Sequence, residues 1–272
     1  MNLLFSINRK FIPLWEQCMA TILRHGGAAH YDLYVLHSDL TGEDGARMQA
    51  ALRPQDSCTL VRVPDGLFEG FPETGRYPVQ IYYRLAAPLL LPEALNRILY
   101  LDVDTVILNS LEPLYTSDFA GAAFMACSHT RKFLDKVNQA RLGLEDGVRY
   151  LNSGVLMMDL ALLRRTLRLE DIRDYAERYK NRLILPDQDI LTGLFGDKAL
   201  VLDSRIYNMT DRLYVRCSAL PSERLSLDWV RQNTVVVHYL GKPKPWQKNY
   251  IGPLGVFYQE ELALTRAAAE EA

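Results

Sequence analysis

Apolar and polar positions along the first hundred residues follow two different periods. The runs "NLLFSI" (2–7), "DLYVLHS" (32–38), "CTLVRV" (58–63) and "RILYLD" (97–102) are short, apolar and rich in branched or aromatic side chains, the pattern of buried strands. Between them the spacing is helical. One helix is predicted from about Pro13 to Arg24, stopped by Gly26 and Gly27. A second runs from Thr41, which forms a capping box with Asp44, to about Leu52. A third occupies "VQIYYRLAAPLLL" (79–91), where Pro88 ends or kinks it. Such alternation predicts an α/β fold with a Rossmann-like, mostly parallel central sheet and helices on both faces.

The second half is less regular. "RYLNSGVLMMDL" (149–160) holds a buried strand region interrupted by Asn152, Ser153 and Gly154, and a glycine there suggests close approach of a ligand or of other backbone. Residues 160–179 read as one or two amphipathic helices. "PDQDILTGLF" (186–195) opens a helix with Asp187 and Asp189 in its first turn, where the helix dipole favours acids. "TVVVHYLGKPKPW" (234–246) is a strand entering a Gly/Pro/Lys loop, and the acidic "QEELALTRAAAEEA" (259–272) reads as a surface helix with a frayed end. Neither repeats nor an interdomain linker interrupt the 272 residues, which are expected to form a single domain.

Composition narrows the function classes. With 49% apolar and 24% charged residues and a net charge of −2, the chain reads as an ordinary soluble protein with no nucleic-acid partner. Its four cysteines are dispersed, with no C-x-x-C pair, as expected of reduced thiols in a cytoplasmic protein. "MNLLFSINRKF" lacks a signal-peptide pattern, and no apolar stretch reaches the roughly 18 residues of a membrane span.

The chemistry concentrates in "ILYLDVDTVIL" (98–108). Asp102 and Asp104 stand one residue apart in an apolar run, where like charges oppose each other's ionisation and burial is costly. Because they follow a strand directly, they fall at the carboxyl rim of the sheet, where α/β folds bind ligands. A turn-capping role accounts for one of the acids but not for both. Two readings remain. The pair can hold a hard divalent cation, Mn²⁺ or Mg²⁺, against the phosphates of a nucleotide. Alternatively, "DVDTV" is the nucleophile motif of a haloacid-dehalogenase-like phosphatase, with Asp102 attacking phosphorus and Asp104 as general acid and base. That motif normally lies near a chain's start, and "GDKALVLD" (196–203) only loosely matches the acidic stretch such phosphatases need. The turn after the first strand, "SINRKF", has no glycine, which excludes a dinucleotide cradle.

Further residues favour the metal–nucleotide reading. A lone histidine at a strand end is usually structural, but His238 ends "TVVVH" where a two-carboxylate site wants a third ligand. In "GKPKPW", Gly241 permits close backbone approach, and Lys242 and Lys244 supply cations suited to phosphate. Asp187 and Gln188 form either a plain helix start or a hydroxyl-binding pair.

In order, "YYRLAAPLLLP", "RILYLDVDTVIL", "YLNSGVLMMDL", "PDQDILTGLF" and "HYLGKPKPW" resemble the motifs of glycosyltransferase family 8, across residues 80 to 246. The phosphatase reading explains only one of the five. The resemblance implies a GT-A fold, a UDP-sugar donor, Mn²⁺ (or Mg²⁺), and transfer of glucose or galactose to a glycan or glycolipid acceptor with retention of configuration. It divides the chain into a nucleotide-binding half (about 1–110), an acceptor-side half (about 111–252) and a C-terminal helix (about 253–272). Asp102, Asp104 and His238 match its metal ligands, with Val103 between the acids. Gly241 and Lys244 match its diphosphate contacts, and Arg84 its donor-site arginine. Asn152 and Asp187 match positions that hold sugar hydroxyls, with Ser153 and Gly154 counted among the nucleotide-sugar-binding residues. Gln188 matches the residue beside the anomeric carbon, so that Gln188 and Asp187 are the expected catalytic pair. Gln188 is an amide and a poor nucleophile, which favours front-side attack by the acceptor. After the first strand, Asn8, Arg9, Lys10 and Phe11 replace an acid and an Asn-Tyr pair; Phe11 can stack on a base and Asn8 can hydrogen-bond it. Ser128 and His129 stand where relatives often place an acid near the acceptor. A non-catalytic nucleotide-sugar-binding relative is the remaining alternative.

Overall fold

The computed structural model describes residues 1–73, 78–130, 132–219 and 225–271. Strands form where the apolar runs predict them: β1 (Asn2–Ser6), β2 (Asp32–His37), β3 (Ser57–Arg62) and β4 (Arg97–Leu101). Five more follow: β5 (Thr105–Ile107), β6 (Phe124–Cys127), β7 (Val155–Asp159), β8 (Ala199–Leu202) and β9 (Val236–His238). Seven build one sheet in the order β3-β2-β1-β4-β7-β6-β8, while β5 and β9 form a separate two-stranded ladder.

Side chains alternate across the central strands, and both faces are covered. Leu4, Ile98, Tyr100, Leu156 and Met158 enter the core on one face. Leu3, Phe5, Leu99, Leu101, Val155 and Met157 enter the core on the other. Burial on two sides is why these strands read as unbroken apolar runs. The helices obey their sequence signals. Ile12–His25 is capped by Gly26, and Gly42–Ala50 starts at the Thr41/Asp44 capping box. Segment 79–91 divides into a 3₁₀ turn, Val79–Tyr82, and a helix, Tyr83–Leu90, that ends two residues after Pro88. Residues 160–179 form two helices, Leu160–Thr166 and Leu169–Tyr179.

The structure refines three expectations. First, the sheet is mostly parallel, with six strands sharing one direction, but β7 runs antiparallel to both β4 and β6. Reversal brings the start of β7 beside the end of β4, and Asn152, Ser153 and Gly154 lie in the turn before the strand rather than inside it. Second, β9 does not end at the main sheet's rim. It pairs with β5, placing His238 opposite Thr105 just after the two acids. Third, the closing helix Gly255–Glu271 is not merely a surface element. Phe257 is fully buried beneath the small ladder with Val106, Met209, Val237 and Tyr239. Among the described residues, no helix is long and apolar enough to cross a membrane, and all four cysteines are free thiols.

One acid braces the edge of the sheet. Asp56 is almost fully buried, accepting from the Tyr31 backbone N–H at 2.9 Å and from Arg53 Nε at 2.7 Å and Nη2 at 3.0 Å. Burial alone would raise its pKa, but Arg53 and the Tyr31 N–H outweigh burial and hold the carboxyl below its ordinary range. A carboxyl depressed in the folded state stabilises above its unfolded pKa of about 3.9, and loses that contribution as pH falls through the folded value. Urea unfolding should therefore show stability declining below about pH 4, and Asp56→Asn should flatten that part of the profile.

Candidate active site

The turn between β4 and β5 carries both acids. The Asp102 N–H donates to the Gly154 carbonyl at 2.8 Å, extending the β4–β7 ladder by one step. Thr105 Oγ1 donates to the Asp102 carbonyl at 2.8 Å and closes the turn. The Tyr239 N–H donates to the Asp104 carbonyl at 3.0 Å, pinning the residue after His238 to the same turn. These backbone ties deliver three side chains to one point. His238 Nε2 lies 3.2 Å from Asp104 Oδ1 and 3.6 Å from Asp102 Oδ2, and one ligand atom from each residue falls within 4.8 Å of the others.

The trio fits a divalent cation. His238 is 1% exposed, and its Nε2 has no hydrogen-bond partner although it is buried. Neighbouring ligands of an octahedral ion with bonds of about 2.1 Å stand about 3 Å apart, close to the separations here. Two carboxylate oxygens and one imidazole suit Mg²⁺ or Mn²⁺. Space is kept for them by Gly154: a Cβ there would overlap His238 Cε1 and come within 2.7 Å of Asp102 Oδ2.

Positive charge surrounds the acids on two sides. Arg84, 6% exposed, donates through Nη1 to the Ser153 carbonyl at 2.8 Å and pairs with Asp102 Oδ1 at 3.0 Å. Its Nε donates to the Ile81 carbonyl at 3.1 Å and lies 3.6 Å from Asp187 Oδ2. The guanidinium also rests 4.4 Å above the Tyr100 ring, whose hydroxyl donates to Asp102 Oδ1 at 2.6 Å. Burial works against the charged guanidinium, yet Asp102 and its neighbours hold its pKa above the ordinary value. On the other side, Lys244 Nζ donates to Asp104 Oδ2 and, at 2.6 Å, to the Tyr239 carbonyl. Burial opposes ionisation of Asp104, but His238 and Lys244 prevail and keep the carboxyl well below its usual range. Gly241 has φ 80°, which only glycine adopts without strain, and it directs the loop that returns Lys244. Lys242 is exposed and takes no part in the cluster.

The helix Pro186–Phe195 supplies the next layer. Asp187 Oδ2 accepts from Ser153 Oγ at 2.6 Å, and burial raises its pKa against the pull of Arg84. Gln188 Oε1 accepts from Asn152 Nδ2 at 2.8 Å and from the Ser153 N–H at 3.3 Å. Asp189 points elsewhere and is fully enclosed. It accepts from Arg141 Nη2 at 2.7 Å and Nη1 at 2.8 Å, from Tyr150 at 2.7 Å and from the Ile184 N–H at 2.6 Å.

Thus Arg84, Asp102, Asp104, Asn152, Ser153, Gly154, Asp187, Gln188, His238 and Lys244 form one continuous network, with Val103 between the acids. Asn8 and Phe11 stand one strand away, beyond the end of β1. Asn8 Oδ1 caps the turn Arg9–Phe11 by accepting from the Lys10 N–H at 3.1 Å, and Phe11 is 43% exposed. The Arg9 cation is drawn off by Asp44 at 2.8 Å. One buried participant, Asn208, escapes the sequence reading. Asn208 accepts from His238 Nδ1 at 3.0 Å and donates to Asn152 Oδ1 at 2.8 Å. His129, expected on the acceptor side, instead bonds the Asn208 carbonyl through Nε2 at 2.7 Å, and burial lowers its pKa to about 4. The phosphatase alternative fails here. Asp203 follows β8, three strand spacings or about 14 Å from β4, and pairs with Arg205 at 2.7 Å.

Comparison with known proteins agrees with this geometry. The family model described as "Glycosyl transferase family 8" matches residues 2–250. A glycosyltransferase of Haemophilus influenzae is 27% identical over 91% of this chain and 73% of its own. The lipopolysaccharide 1,2-glucosyltransferase of Escherichia coli K12 is 25% identical over 95% of this chain and 76% of its own. Among solved structures, the galactosyltransferase LgtC, in complex with donor and acceptor sugar analogues, superimposes with a TM-score of 0.82 and 26% identity. That match covers 97% of this chain and 95% of LgtC.

Gly154→Ala tests the cradle directly. The variant should fold, since the residue lies in a turn, but lose divalent-ion affinity by roughly 10- to 100-fold, the scale on which displaced ligands weaken a metal site. Calorimetric titration with Mn²⁺ measures it.

Proposed function

The chain belongs to glycosyltransferase family 8, and on that premise we propose that it transfers glucose or galactose from a UDP-sugar to a glycan or glycolipid acceptor, with Mn²⁺ and with retention of anomeric configuration. The observation that carries the proposal is the trio Asp102, Asp104 and His238 with its unpartnered Nε2. A lipopolysaccharide-type acceptor is supported by the names of the Escherichia coli relative and of a Salmonella typhimurium 1,3-galactosyltransferase that is 24% identical. A cytoplasmic location accords with reduced cysteines and with an acceptor built inside the cell.

Breaking a glycosyl–phosphate bond leaves negative charge on the departing diphosphate and positive charge on the sugar ring. Bound by the trio, Mn²⁺ would stabilise the first of these charges. Lys244 adds a cation beside it, and the Gly241 turn brings backbone close to the same group. In this reading, residues 1–110 form the nucleotide-binding half. Asn8, Phe11 and Val103 meet the base and ribose, with Phe11 offering a face for stacking. The sugar lies against Arg84, Asn152, Ser153, Gly154, Asp187 and Gln188. Residues 111–252 carry the acceptor side, and the closing helix seals the small ladder.

Retention requires either a protein nucleophile or attack from the face the leaving group vacates. A carboxylate nucleophile must reach the anomeric carbon, as in retaining glycosidases. Asp189 is enclosed by Arg141 and Tyr150, Asp187 is engaged by Ser153 and Arg84, and Gln188 is an amide. The acceptor hydroxyl therefore attacks from the leaving-group face and passes its proton to a diphosphate oxygen.

Thermal-shift measurements with nucleotide-sugars should show stabilisation by a UDP-sugar that requires Mn²⁺, because a ligand binding only the folded state raises stability. Asp104→Asn should abolish this metal-dependent stabilisation with the fold intact, and His238→Ala should shrink it, reflecting metal affinity lower by roughly 10- to 100-fold. Equal stabilisation in wild type with and without metal rejects the ligand assignment. A covalent sugar adduct on Asp187 or Asp189 by mass spectrometry rejects front-side attack.

A further inference from the structure

Two side chains, Asn208 and Asn152, link His238 of the metal trio to Gln188, the residue proposed to lie beside the anomeric carbon, and the direction of every hydrogen bond along this row is determined. The Gly154 backbone N–H donates to Asn152 Oδ1 at 3.0 Å. A backbone N–H can only donate, so that atom of Asn152 is the oxygen and its other end is the NH₂. The same oxygen receives Asn208 at 2.8 Å, which must present its own NH₂. Asn208 therefore turns its oxygen to His238 Nδ1 at 3.0 Å, and Nδ1 must carry the proton. In the other direction, the Asn152 NH₂ faces Gln188 at 2.8 Å, so the Gln188 carbonyl points inward. The Ser153 N–H at 3.3 Å demands the same orientation.

We propose that Asn208 is a positioning residue: through the Gly154–Asn152–Asn208 chain it fixes the His238 tautomer so that Nε2 offers its lone pair to the metal, and it couples that ligand to Gln188, whose NH₂ is left as the group presented to substrate. Asn208 is fully buried. Its carbonyl accepts from His129 Nε2 at 2.7 Å and its N–H donates to the Ser204 carbonyl at 3.2 Å, so its main chain is held on both sides. An imidazole whose Nδ1 proton is committed to an amide oxygen has one nitrogen for coordination, and the nitrogen it has is the unpartnered one facing Asp102 and Asp104. Gln188 is accordingly a hydrogen-bond donor to the bound sugar or to the leaving oxygen, not a nucleophile.

The inference rests on the metal-dependent reading, and the test separates the two. Mn²⁺ affinity by calorimetry and kcat with a UDP-sugar are measured for wild type, Asn208→Asp, Asn208→Ala and Asn152→Asp, with thermal melting to establish that each is folded. Asn208→Asp keeps an acceptor for His238 but has no NH₂ for Asn152; Mn²⁺ should bind at least as tightly as in wild type while kcat falls about tenfold. Asn208→Ala loses both bonds, and Mn²⁺ affinity should drop roughly 10- to 100-fold as well. Asn152→Asp leaves Asn208 in place and still accepts from it and from Gly154, but cannot donate to Gln188. It should match wild type in Mn²⁺ affinity and fall in kcat, which keeps the proposal testable if Asn208→Ala does not fold. Wild-type affinity and kcat in Asn208→Ala, or equal loss of affinity in Asn208→Asp and Asn208→Ala, overturns the proposal. Absence of Mn²⁺ binding in wild type overturns the metal reading instead.

Discussion

A single buried guanidinium, that of Arg84, holds four parts of the chain in one place. It reaches the carbonyls of Ile81 and Ser153 and the carboxylates of Asp102 and Asp187, thereby joining the third helix, the end of β4, the turn before β7 and the helix Pro186–Phe195. A buried charge without partners is costly, so each of these segments is constrained to present an acceptor at the same point. The charges around it do not balance. Asp102, Asp104 and Asp187 face Arg84 and Lys244, three carboxylates against two cations, with the deficit beside the unpartnered imidazole nitrogen. Short of positive charge and ringed by oxygen and nitrogen donors, the site could hold an added cation.

The reversal of β7 makes this meeting possible. In an all-parallel sheet the start of a neighbouring strand lies at the opposite edge from the end of β4, and the turn Asn152–Gly154 would be a strand length away. Running antiparallel, β7 places its preceding turn at the carboxyl rim, where Gly154 accepts the Asp102 N–H and its missing side chain leaves room for His238. The apolar run of 149–160 signals a strand but not its direction, because a strand buried on both faces has the same composition either way. The small ladder was hidden for a related reason: β9 shows as an apolar run, but its partner β5, three residues long, is too short for a period to register.

What was legible in the sequence is what burial makes unusual. Two acids and a histidine at the ends of apolar runs stand out because apolar surroundings penalise them, and their convergence follows once the strands are placed. Arg84 came only from the resemblance, for an arginine within an amphipathic helix is ordinarily solvated. Asn208 left no trace, since an asparagine between Tyr207 and Met209 is unremarkable in composition. Its part is set by approach in three dimensions, across 30 residues to His238 and 56 to Asn152. Amides suit this role because each carries a donor and an acceptor at fixed separation, so one backbone N–H at the end of a row dictates the orientation of every member.

The fates of Asp187 and Asp189 are what the proposal of a reaction without a protein nucleophile rests on. Residues two apart on a helix point to different sides, so one turn cannot aim both carboxylates at the same carbon. Asp187 faces Ser153 and Arg84, while Asp189 faces Arg141 and Tyr150, where it is committed to structure. The residue between them is an amide whose oxygen is already occupied. With Asp187 and Asp189 both engaged, the charges left facing one another are those of Asp102, Asp104, His238 and Lys244. Under the proposed mechanism, such a site would lower the barrier by drawing electrons toward a departing diphosphate, and the face that diphosphate vacates would be the one an incoming hydroxyl enters.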